Sequence, residues 1–422
     1  MDRQSKKTLR QAKTATIVCS NKMRTSTPSQ PNSGGQPGAS ATQVRPARLE
    51  VLDSTRGLAM LFVCLSHFTW VASETLGPSR LFGSLMTISM VASPSFLLVS
   101  GITLGYVHRQ TPASYGHFKA KLRERGILLL TVAHWAMVPS FFYMAPRAHE
   151  ALRVLPITDT IGVCLLIGPL LVERVTRRVR GVIAAVLLAL TWTVILTLPV
   201  HPTEATRIVE GALFGAGNNP WWFYSFPVVP WFAVYLLGSV IGERISFRLQ
   251  AERSDFSWTF VKWAGGFTIA ALLLEIGSAV VITFSSERAT LAVSLGKLAN
   301  PLLKYPPTVA YLLTYSAAGL VMAAITARLV EGNHLRWLTK RAGEIGRSSL
   351  PIFVVQSYLY YFIELHVLPP RHVWPLYFLA TLGIVYLTAR LWLAAGGNKL
   401  LRLPGWHRYR LPAPESAPAK TV

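Results

Sequence analysis

Three ionisable side chains in one apolar stretch have types and a spacing that could do chemistry. The segment RLEVLDSTRGLAMLFVCLSHFTW carries Asp53, Arg56 and His67, and the residues between Arg56 and His67 are almost wholly apolar. At 100° per residue on a helix, Arg56 and His67 lie about 20° apart, and Asp53 lies within about 60° of both. The three side chains therefore form a polar stripe, in which about 16 Å of helical rise separates Arg56 from His67.

The spacing along this polar stripe suits the two ends of one elongated ligand. A guanidinium can hold an anionic group, and a neutral imidazole can act as a general base. A simpler interpretation is that Asp53 and Arg56, three positions apart, pair at the membrane surface, and that His67 is a helix-packing group. The alignment of all three on one face favours catalytic roles for His67 and Arg56, with Asp53 orienting the guanidinium.

The elements that carry these residues are predicted to be transmembrane helices. Of 422 residues, 51% are apolar and only 14% are charged, whereas soluble domains carry about 25% charge; the mean hydropathy is +0.38. This composition excludes a soluble enzyme, a coiled coil, a disulfide scaffold and a disordered protein, and leaves transporters, channels and membrane-embedded enzymes. About 20 apolar residues span a bilayer. We predict an all-α integral membrane protein with about ten such helices: 51–72, 81–107, 127–145, 152–172, 181–200, 226–242, 258–284, 308–328, 348–366 and 373–394.

The formal charge of +23 indicates how these helices are oriented. About four fifths of the Lys and Arg residues that we assign to loops fall in the two tails and in alternate loops. The positive-inside rule then places both termini in the cytoplasm. We expect the basic loops to set orientation and to contact the lipid bilayer, and we expect no nucleic-acid partner. In a bacterium the protein would lie in the plasma (inner) membrane.

Composition also divides the chain into three parts. Residues 1–47 are basic and rich in Ser, Thr, Pro, Gly and Gln, which predicts a disordered cytoplasmic tail. This tail lacks the apolar core of a secretory signal, and Met23 is an alternative start. Residues 48–395 form the polytopic membrane domain, and residues 396–422 form a second basic cytoplasmic tail.

Other polar residues inside the spans are further candidates. Asp159, near the start of the fourth span, could orient His67, contact a substrate or cap its helix. Glu275 lies in the middle of a span, so its carboxyl group is expected to be protonated or to face a cavity, and His134 is one possible partner. Tyr311 lies four residues before Tyr315 and is a candidate for lining a substrate site or pore, although packing is the ordinary role of such a pair.

The remaining patterns predict packing and exclude several kinds of site. Gly101 and Gly105 form a small-xxx-small pair that allows close approach of two helices. Cys19, Cys64 and Cys164 have no zinc or disulfide spacing, so no metal is expected. The sequence also lacks a phosphate loop and a Gly-x-Ser-x-Gly elbow, which argues against a soluble-type nucleotide enzyme or serine hydrolase.

The polar stripe and five later blocks resemble a known family. Ten residues separate Arg56 from His67, Leu-Asp comes shortly before Arg56, and Gly follows Arg56. This pattern is similar to the opening of membrane acyltransferases of the acyltransferase-three superfamily. The later blocks are similar to the branch that includes the catalytic domain of heparan-α-glucosaminide N-acetyltransferase. They occur in order over about residues 45–395: ASPSFLLVSGITLGY, LPITDTIGVCLLIG, VVPWFAVYLLGSVIG, KYPPTVAYLLTY and GEIGRSSLPIFVVQSYLYY.

This resemblance implies acetyl-CoA as the donor and a glycan or glycan-lipid as the acceptor. A sugar hydroxyl or amine outside the cytoplasm would receive the acetyl group. His67 would act as the base or carry the acyl group transiently, and Asp159 would contact the acceptor or orient His67. Arg56 would hold a coenzyme A phosphate or the thioester carbonyl.

Further cations are candidates for binding the phosphates of the donor. The basic stretch 108–126 could act as a phosphate funnel through Arg109, Lys119, Lys121, Arg123 and Arg125. Arg347 precedes the ninth span, where the start of a helix would attract an anion. For the stretch 108–126, orientation of the helices is the simpler explanation of the charge.

One residue departs from the family pattern. Relatives often carry a histidine in the late span where this chain has Gln356, in FVVQS. Glutamine can form hydrogen bonds but cannot exchange a proton at neutral pH. Gln356 is therefore a candidate substrate-site residue, and the activity could be slower, altered in substrate or absent.

Three functions are compatible with these observations. The first is a membrane acyltransferase that modifies a glycan. The second is a transporter or channel in which Asp53, Arg56 and His67 relay a proton or an ion. The third is an inactive relative that scaffolds an envelope-assembly complex, which Gln356 suggests. A homo-oligomer is compatible with all three.

Overall fold

The computed structural model describes residues 50–143, 148–197, 203–215, 222, 226–250, 256–284, 288–364 and 373–400. Within these ranges the chain is helical, and its one β-type feature is an isolated bridge between Lys304 and Pro307. The all-α prediction is therefore confirmed for the described part of the chain. The predicted tail 1–47 and the end of the second tail, 401–422, lie outside it.

Seventeen helices follow one another along the described chain. In order they are α1 (Glu50–Leu76), α2 (Arg80–Ser89), α3 (Ala92–Gln110), α4 (Tyr115–Leu128), α5 (His134–Met137), α6 (Ala148–Ala151), α7 (Ile157–Arg174), α8 (Arg177–Thr197), α9 (Glu204–Leu213), α10 (Val228–Gln250), α11 (Phe256–Phe284), α12 (Arg288–Ala299), α13 (Val309–Glu331), α14 (Arg336–Arg347), α15 (Ser349–Tyr358), α16 (Trp374–Ala394) and α17 (Gly397–Leu400). Short 3-10 turns at Pro112–Ser114 and Val138–Tyr143 and π-helical turns at Leu129–Ala133 and Leu359–Glu364 connect some of them.

Eight helical stretches in the described chain are long and apolar enough to cross a membrane. They are Glu50–Leu76, Arg80–Gln110, Pro112–Phe142, Arg177–Ile195, Val228–Phe247, Phe256–Phe284, Val309–Glu331 and Trp374–Ala394. The other two predicted spans correspond to shorter or more polar helices. The span 152–172 matches the 18-residue α7, which contains Asp159, Glu173 and Arg174. The span 348–366 matches the ten-residue α15 and the π turn after it. The count of ten and the sidedness of the termini stay predictions.

The third spanning stretch begins earlier than predicted. The basic stretch 108–126 was expected to be a loop, but α4 begins at Tyr115 and runs through most of it. Lys, Arg, Glu and Leu are strong helix formers, so the basic end of this stretch continues the helix. An ion pair of 2.6 Å between Lys119 and Glu173 links α4 to the end of α7.

Small residues bring α3 and α10 into direct backbone contact. A Cβ at Gly101 or Gly105 would overlap a backbone carbonyl oxygen of α10, and one at Gly238 or Gly242 would overlap a carbonyl oxygen of α3. The predicted close packing at Gly101 and Gly105 is therefore confirmed. A side chain at any of the four positions would push the two helices apart.

A second close contact holds the first half of α1 against α14. A Cβ at Gly57 would overlap the Ala342 carbonyl, and one at Gly346 would overlap the Asp53 carbonyl. Because both contacts lie within one turn of Arg56, α14 fixes the part of α1 that carries the guanidinium.

The spanning helices give the bundle two distinct ends. We call the end where α1 and α8 begin and where α3, α7 and α10 finish the basic end. There the Gln110 amide donates to the Ser246 carbonyl. The opposite end, where α7 and α13 begin, we call the far end. There the Trp192 indole donates to the Pro307 carbonyl. On α1, Arg56 lies toward the basic end and His67 toward the far end.

Candidate functional site

His67 and Gln356 form a direct hydrogen bond, although 289 positions separate them along the chain. The His67 Nδ1 atom lies 2.7 Å from Gln356 Oε1. Gln356, on α15, is fully buried, and His67 is partly buried. The glutamine that departs from the family pattern therefore contacts the candidate base itself.

The hydrogen bonds of Gln356 fix which ring nitrogen of His67 carries the proton. The Gln356 Nε2 atom donates to the Phe353 carbonyl and to Ser357 Oγ, each at 3.3 Å. The Oε1 atom must then face His67 as an acceptor, so Nδ1 is the donor. The Nε2 atom of His67 keeps its lone pair and is the nitrogen that can accept a proton.

Tyrosines from the π turn Leu359–Glu364 form a wall beside His67. The Tyr361 ring centroid lies 5.1 Å from the imidazole, and the Tyr360 ring lies 6.4 Å from it, edge-on. The Tyr358 hydroxyl donates to the Ala136 carbonyl at 2.7 Å, which ties α15 to α5. A π turn inserts one extra residue per turn and often occurs at functional sites. Here it directs two aromatic rings at one imidazole.

Arg56 lies at the other end of the polar stripe. Its Nη1 atom is 3.7 Å from Asp53 Oδ1, and its Nη2 atom donates to Thr103 Oγ1 at 3.4 Å. The Arg56 side chain is 19% exposed. Because α1 is continuous from Asp53 to His67, the separation of about 16 Å along the axis holds.

Arg347 lies close to the same part of α1, at the end of α14 and before the predicted helix start at Ser349. It is the last residue of α14, and α15 begins at Ser349. A Cβ at Gly343 would lie 3.4 Å from Ser54 Oγ and 3.9 Å from Arg347 Nη1, so the guanidinium lies over the α1–α14 contact. A cation at the C-terminal end of a helix stabilises the helix dipole. Binding of a donor phosphate by Arg347 stays a prediction.

Asp159 has a different partner from the one expected. Its Oδ2 atom lies 2.7 Å from His134 Nδ1, and both side chains are largely buried. The sequence suggested Asp159 as a group orienting His67 and Glu275 as the partner of His134. The structure instead joins the start of α7 to α5 through this second histidine pair.

The two remaining candidates inside the predicted spans, Glu275 and Tyr311, lie on α11 and α13. Glu275 lies on α11, which packs on α13 and leaves most of its apolar surface exposed. Tyr311 is fully buried, and its hydroxyl donates to the Met90 carbonyl at 3.1 Å. Its ring also packs against Tyr315, with centroids 5.0 Å apart. Tyr311 is therefore placed as a packing residue, because its polar atom is already used inside the bundle.

Of the candidate phosphate-funnel residues, Arg109 lies on α3 and the others lie on α4. Lys121 and Arg123 on α4 are exposed, and Arg125 is partly exposed. The helix packs on α7, where Gly126 and Gly162 approach each other closely. Binding of phosphate by the cations of this funnel stays a prediction.

Lys304 is a charged residue near His67 that sequence reasoning missed. It lies in the turn before α13, with its Nζ atom 5.3 Å from the ring centroids of both Phe226 and Tyr305. It is close enough to His67 for their charges to interact. Burial lowers the pKa of the Lys304 ammonium to about 8. The only signal in the sequence was that Lys304 is the single charged residue of the block KYPPTVAYLLTY. This block begins in a loop on the side of the membrane where few cations are predicted.

The described residues offer proton transfer and anion binding as their chemistry. They contain no group of three or more His, Cys, Asp or Glu side chains arranged to hold a metal ion. Cys64 and Cys164 are buried free thiols. His67, the candidate base, and Arg56, the candidate anion-binding group, both lie on the continuous helix α1.

A family comparison agrees with this arrangement. Residues 48–264, more than half of the chain, match the family model described as heparan-alpha-glucosaminide N-acetyltransferase, catalytic. The match includes Arg56, His67 and Asp159 and ends before Lys304 and Gln356. No individual curated protein matches the chain. With its apolar spanning helices, the chain is an integral membrane protein that belongs to the heparan-alpha-glucosaminide N-acetyltransferase catalytic-domain family.

Proposed function

We propose that the protein transfers an acetyl group from acetyl-CoA to an amine or hydroxyl group of a glycan or glycan-lipid. Family membership supports the acetyltransferase class. The observation that carries the assignment to a site is the hydrogen bond from His67 Nδ1 to the buried Gln356 amide, because it leaves Nε2 free as a base. Membership of the wider acyltransferase-three superfamily is part of the proposal and rests on the Arg56–His67 spacing.

His67 acts as the proton carrier in this reaction. The acceptor nitrogen or oxygen attacks the thioester carbonyl carbon while Nε2 takes its proton. The new C–N or C–O bond forms as the C–S bond breaks. The imidazolium then returns the proton to the departing thiolate, so the enzyme regains its starting state.

Gln356 serves as a positioning residue for His67. Its side chain is fully buried and is held by Phe353 and Ser357, so it presents one oxygen in a fixed direction. Holding a base in one tautomer keeps its lone pair aimed at the reacting proton. A proton-exchanging histidine at position 356 is not needed for this role.

Arg56 binds the anionic or carbonyl part of the donor. Asp53 and Thr103 fix the guanidinium from two sides, and the side chain is 19% exposed. The rise of about 16 Å between Arg56 and His67 requires an elongated donor, which an acyl-CoA thioester provides. The donor then lies along α1, with its reactive carbon at the His67 end.

The decisive experiment is acetyl transfer in proteoliposomes that contain the full chain. Radiolabelled acetyl-CoA is supplied with an acceptor disaccharide ending in glucosamine, and labelled product is counted. We expect His67→Ala to lower the rate at least a hundredfold, because general-base catalysis contributes about 10²–10⁴. His117→Ala is the matched control, since His117 is exposed on α4.

Two results would replace the proposal with its alternatives. Solute flux across the vesicle membrane without consumption of acetyl-CoA would favour a transporter or channel. No transfer by the parent chain together with new activity in Gln356→His would favour an inactive scaffolding relative.

We also propose that both termini lie on the donor side, the cytoplasm, in the inner membrane of a bacterial cell. The distribution of Lys and Arg supports this orientation. Cys19 is a natural reporter, because Cys64 and Cys164 are buried. A membrane-impermeant thiol reagent should label inverted vesicles and not intact cells, and Cys19→Ser should abolish the labelling. Labelling of intact cells would reverse the orientation.

A further inference from the structure

A cavity at the basic end of the bundle has the chemistry of an anion site. It measures about 440 Å³ and lies where α3 and α10 finish and α8 begins. Its lining is dominated by three guanidinium groups and completed by a hydroxyl, a carboxylate and an aromatic ring: Arg109, Arg177, Arg178, Thr176, Glu243 and Phe247.

The cavity keeps a net positive charge despite its one carboxylate. Glu243 is paired with Arg180, which is 1% exposed and also donates to Ser239 Oγ at 2.8 Å. Within the described residues, no carboxylate pairs with Arg109 or Arg178. In the described part of the chain, these two cations are therefore not neutralised by an ion pair.

An apolar strip leads from the cavity along the membrane-facing side of α8. Val182 and Val186 follow Arg178 at four-residue intervals, so the three side chains share one face. Both valines are more than half exposed, and Phe247 at the cavity is half exposed. A cationic cavity above an exposed apolar strip matches a molecule with an anionic head and a hydrocarbon tail.

The cavity is separated from Arg56 by the body of α3. Arg109 lies six residues after Thr103, the residue that contacts Arg56, which places the two about 120° apart around the helix. Thr103 faces α1, whereas Arg109 lies beside the end of α10. The two side chains therefore lie on different faces of α3, which favours a lipid from the bilayer over the donor as the occupant of the cavity.

We propose that this cavity binds the phosphate headgroup of an anionic phospholipid, with one acyl chain lying on the Val182–Val186 strip. Two guanidinium groups and the Thr176 hydroxyl give a phosphate its charged and neutral donors. The bound lipid would fill the gap between α8 and α10 at the membrane surface.

Native mass spectrometry of the full chain released from lipid nanodiscs tests this site. Nanodiscs of about four parts phosphatidylcholine to one part phosphatidylglycerol supply a neutral and an anionic lipid. We expect a retained phosphatidylglycerol molecule on the parent chain. Retention should fall about thirtyfold in the double variant Arg109→Gln and Arg178→Gln, because each basic group contributes about fivefold at an anionic surface.

The matched control removes two exposed cations elsewhere at the basic end. The double variant Arg336→Gln and Lys340→Gln loses the same charge from α14 and should retain the lipid as the parent does. Equal retention by both double variants would overturn the proposal. Displacement of the bound lipid by free coenzyme A or pyrophosphate would also overturn it, because the cavity would then be a site for soluble phosphate compounds.

Discussion

Two partly buried histidines in this bundle have the same hydrogen-bond distance and different partners. His67 Nδ1 lies 2.7 Å from the Gln356 amide oxygen, and His134 Nδ1 lies 2.7 Å from an Asp159 carboxylate oxygen. An amide fixes the tautomer of an imidazole without adding charge, whereas a carboxylate also stabilises the protonated ring. The hydrogen-bond distance alone therefore does not tell whether a histidine is suited to be a neutral base or a member of an ion pair. The charge of its partner does.

The surroundings of the two histidines strengthen this difference. His67 lies beside Tyr360 and Tyr361, and its nearby charge is the cation of Lys304. Because a cation opposes a second positive charge nearby, we expect His67 to be the better candidate for a neutral base. The carboxylate of Asp159 does the reverse for His134. We expect the first pair to do chemistry and the second to hold α5 against α7.

The largest expected effect separates the two histidines directly. His67→Gln should lower the initial rate of acetyl transfer by about 10²–10⁴, because the base is lost. His134→Gln keeps a hydrogen-bond donor for Asp159 and should stay within about tenfold of the parent rate. Rates at saturating acetyl-CoA in proteoliposomes measure both. Equal losses would show that the second pair also takes part in the reaction.

The next effect tests the positioning role of Gln356. Gln356→Leu removes the acceptor for His67 Nδ1 at similar side-chain volume, and an unsatisfied buried donor costs about 1–3 kcal/mol. We expect kcat to fall about tenfold to hundredfold with little change in KM for acetyl-CoA. A variant that keeps the hydrogen bond, Gln356→His, should recover much of the rate. Unchanged kcat in Gln356→Leu would remove Gln356 from the mechanism.

Changing the charge of each histidine's partner should shift the pH dependence of the acetyl-transfer rate for His67 and not for His134. Gln356→Glu places a carboxylate beside His67, which stabilises the imidazolium and reduces the free base at a given pH. The acidic limb of the rate profile should move to higher pH by about 1 unit or more. Asp159→Asn makes the opposite change at His134 and should leave that limb in place. Movement of the limb in Asp159→Asn would identify His134 as the titrating base.

The smallest expected effect concerns the cation near His67. The Lys304 ammonium, with a pKa of about 8, is charged below that pH and loses its charge as pH rises through it. Lys304→Gln should be about three- to tenfold slower than the parent below pH 8, because repulsion that keeps His67 neutral is removed. Above pH 8 the two rates should converge. Lys297→Gln, on α12, is the control, and a constant ratio at all pH values would contradict the electrostatic role.

Local patterns predicted the parts of the site that lie within one helix. Asp53, Arg56 and His67 share α1, so helical periodicity alone gave their common face and their separation. Gly101 and Gly105 predicted a close contact because glycine has no side chain to hold a neighbouring helix away, whichever helix that is. The helical start of α4 was missed, because a run of cations was interpreted as a loop rather than by its helix propensity.

Contacts between distant helices were beyond those patterns. Glu275 and Asp159 were equally plausible partners for His134, and the packing of α7 against α5 decided for Asp159. Gln356 was identified as a departure from relatives, but nothing in the sequence placed its amide against His67. Lys304 drew no attention because its importance depends on the fold of the turn before α13.

By itself, the sequence determined that this is a membrane protein and which segments between the spans are rich in Lys and Arg. It also determined that Arg56 and His67 share one face of a helix. These features depend on composition and on the fixed period of a helix. Only the tertiary structure decided which acceptor each imidazole meets, because pairing across 289 positions depends on how the helices pack. The different hydrogen-bond partners of His67 and His134 come from that packing.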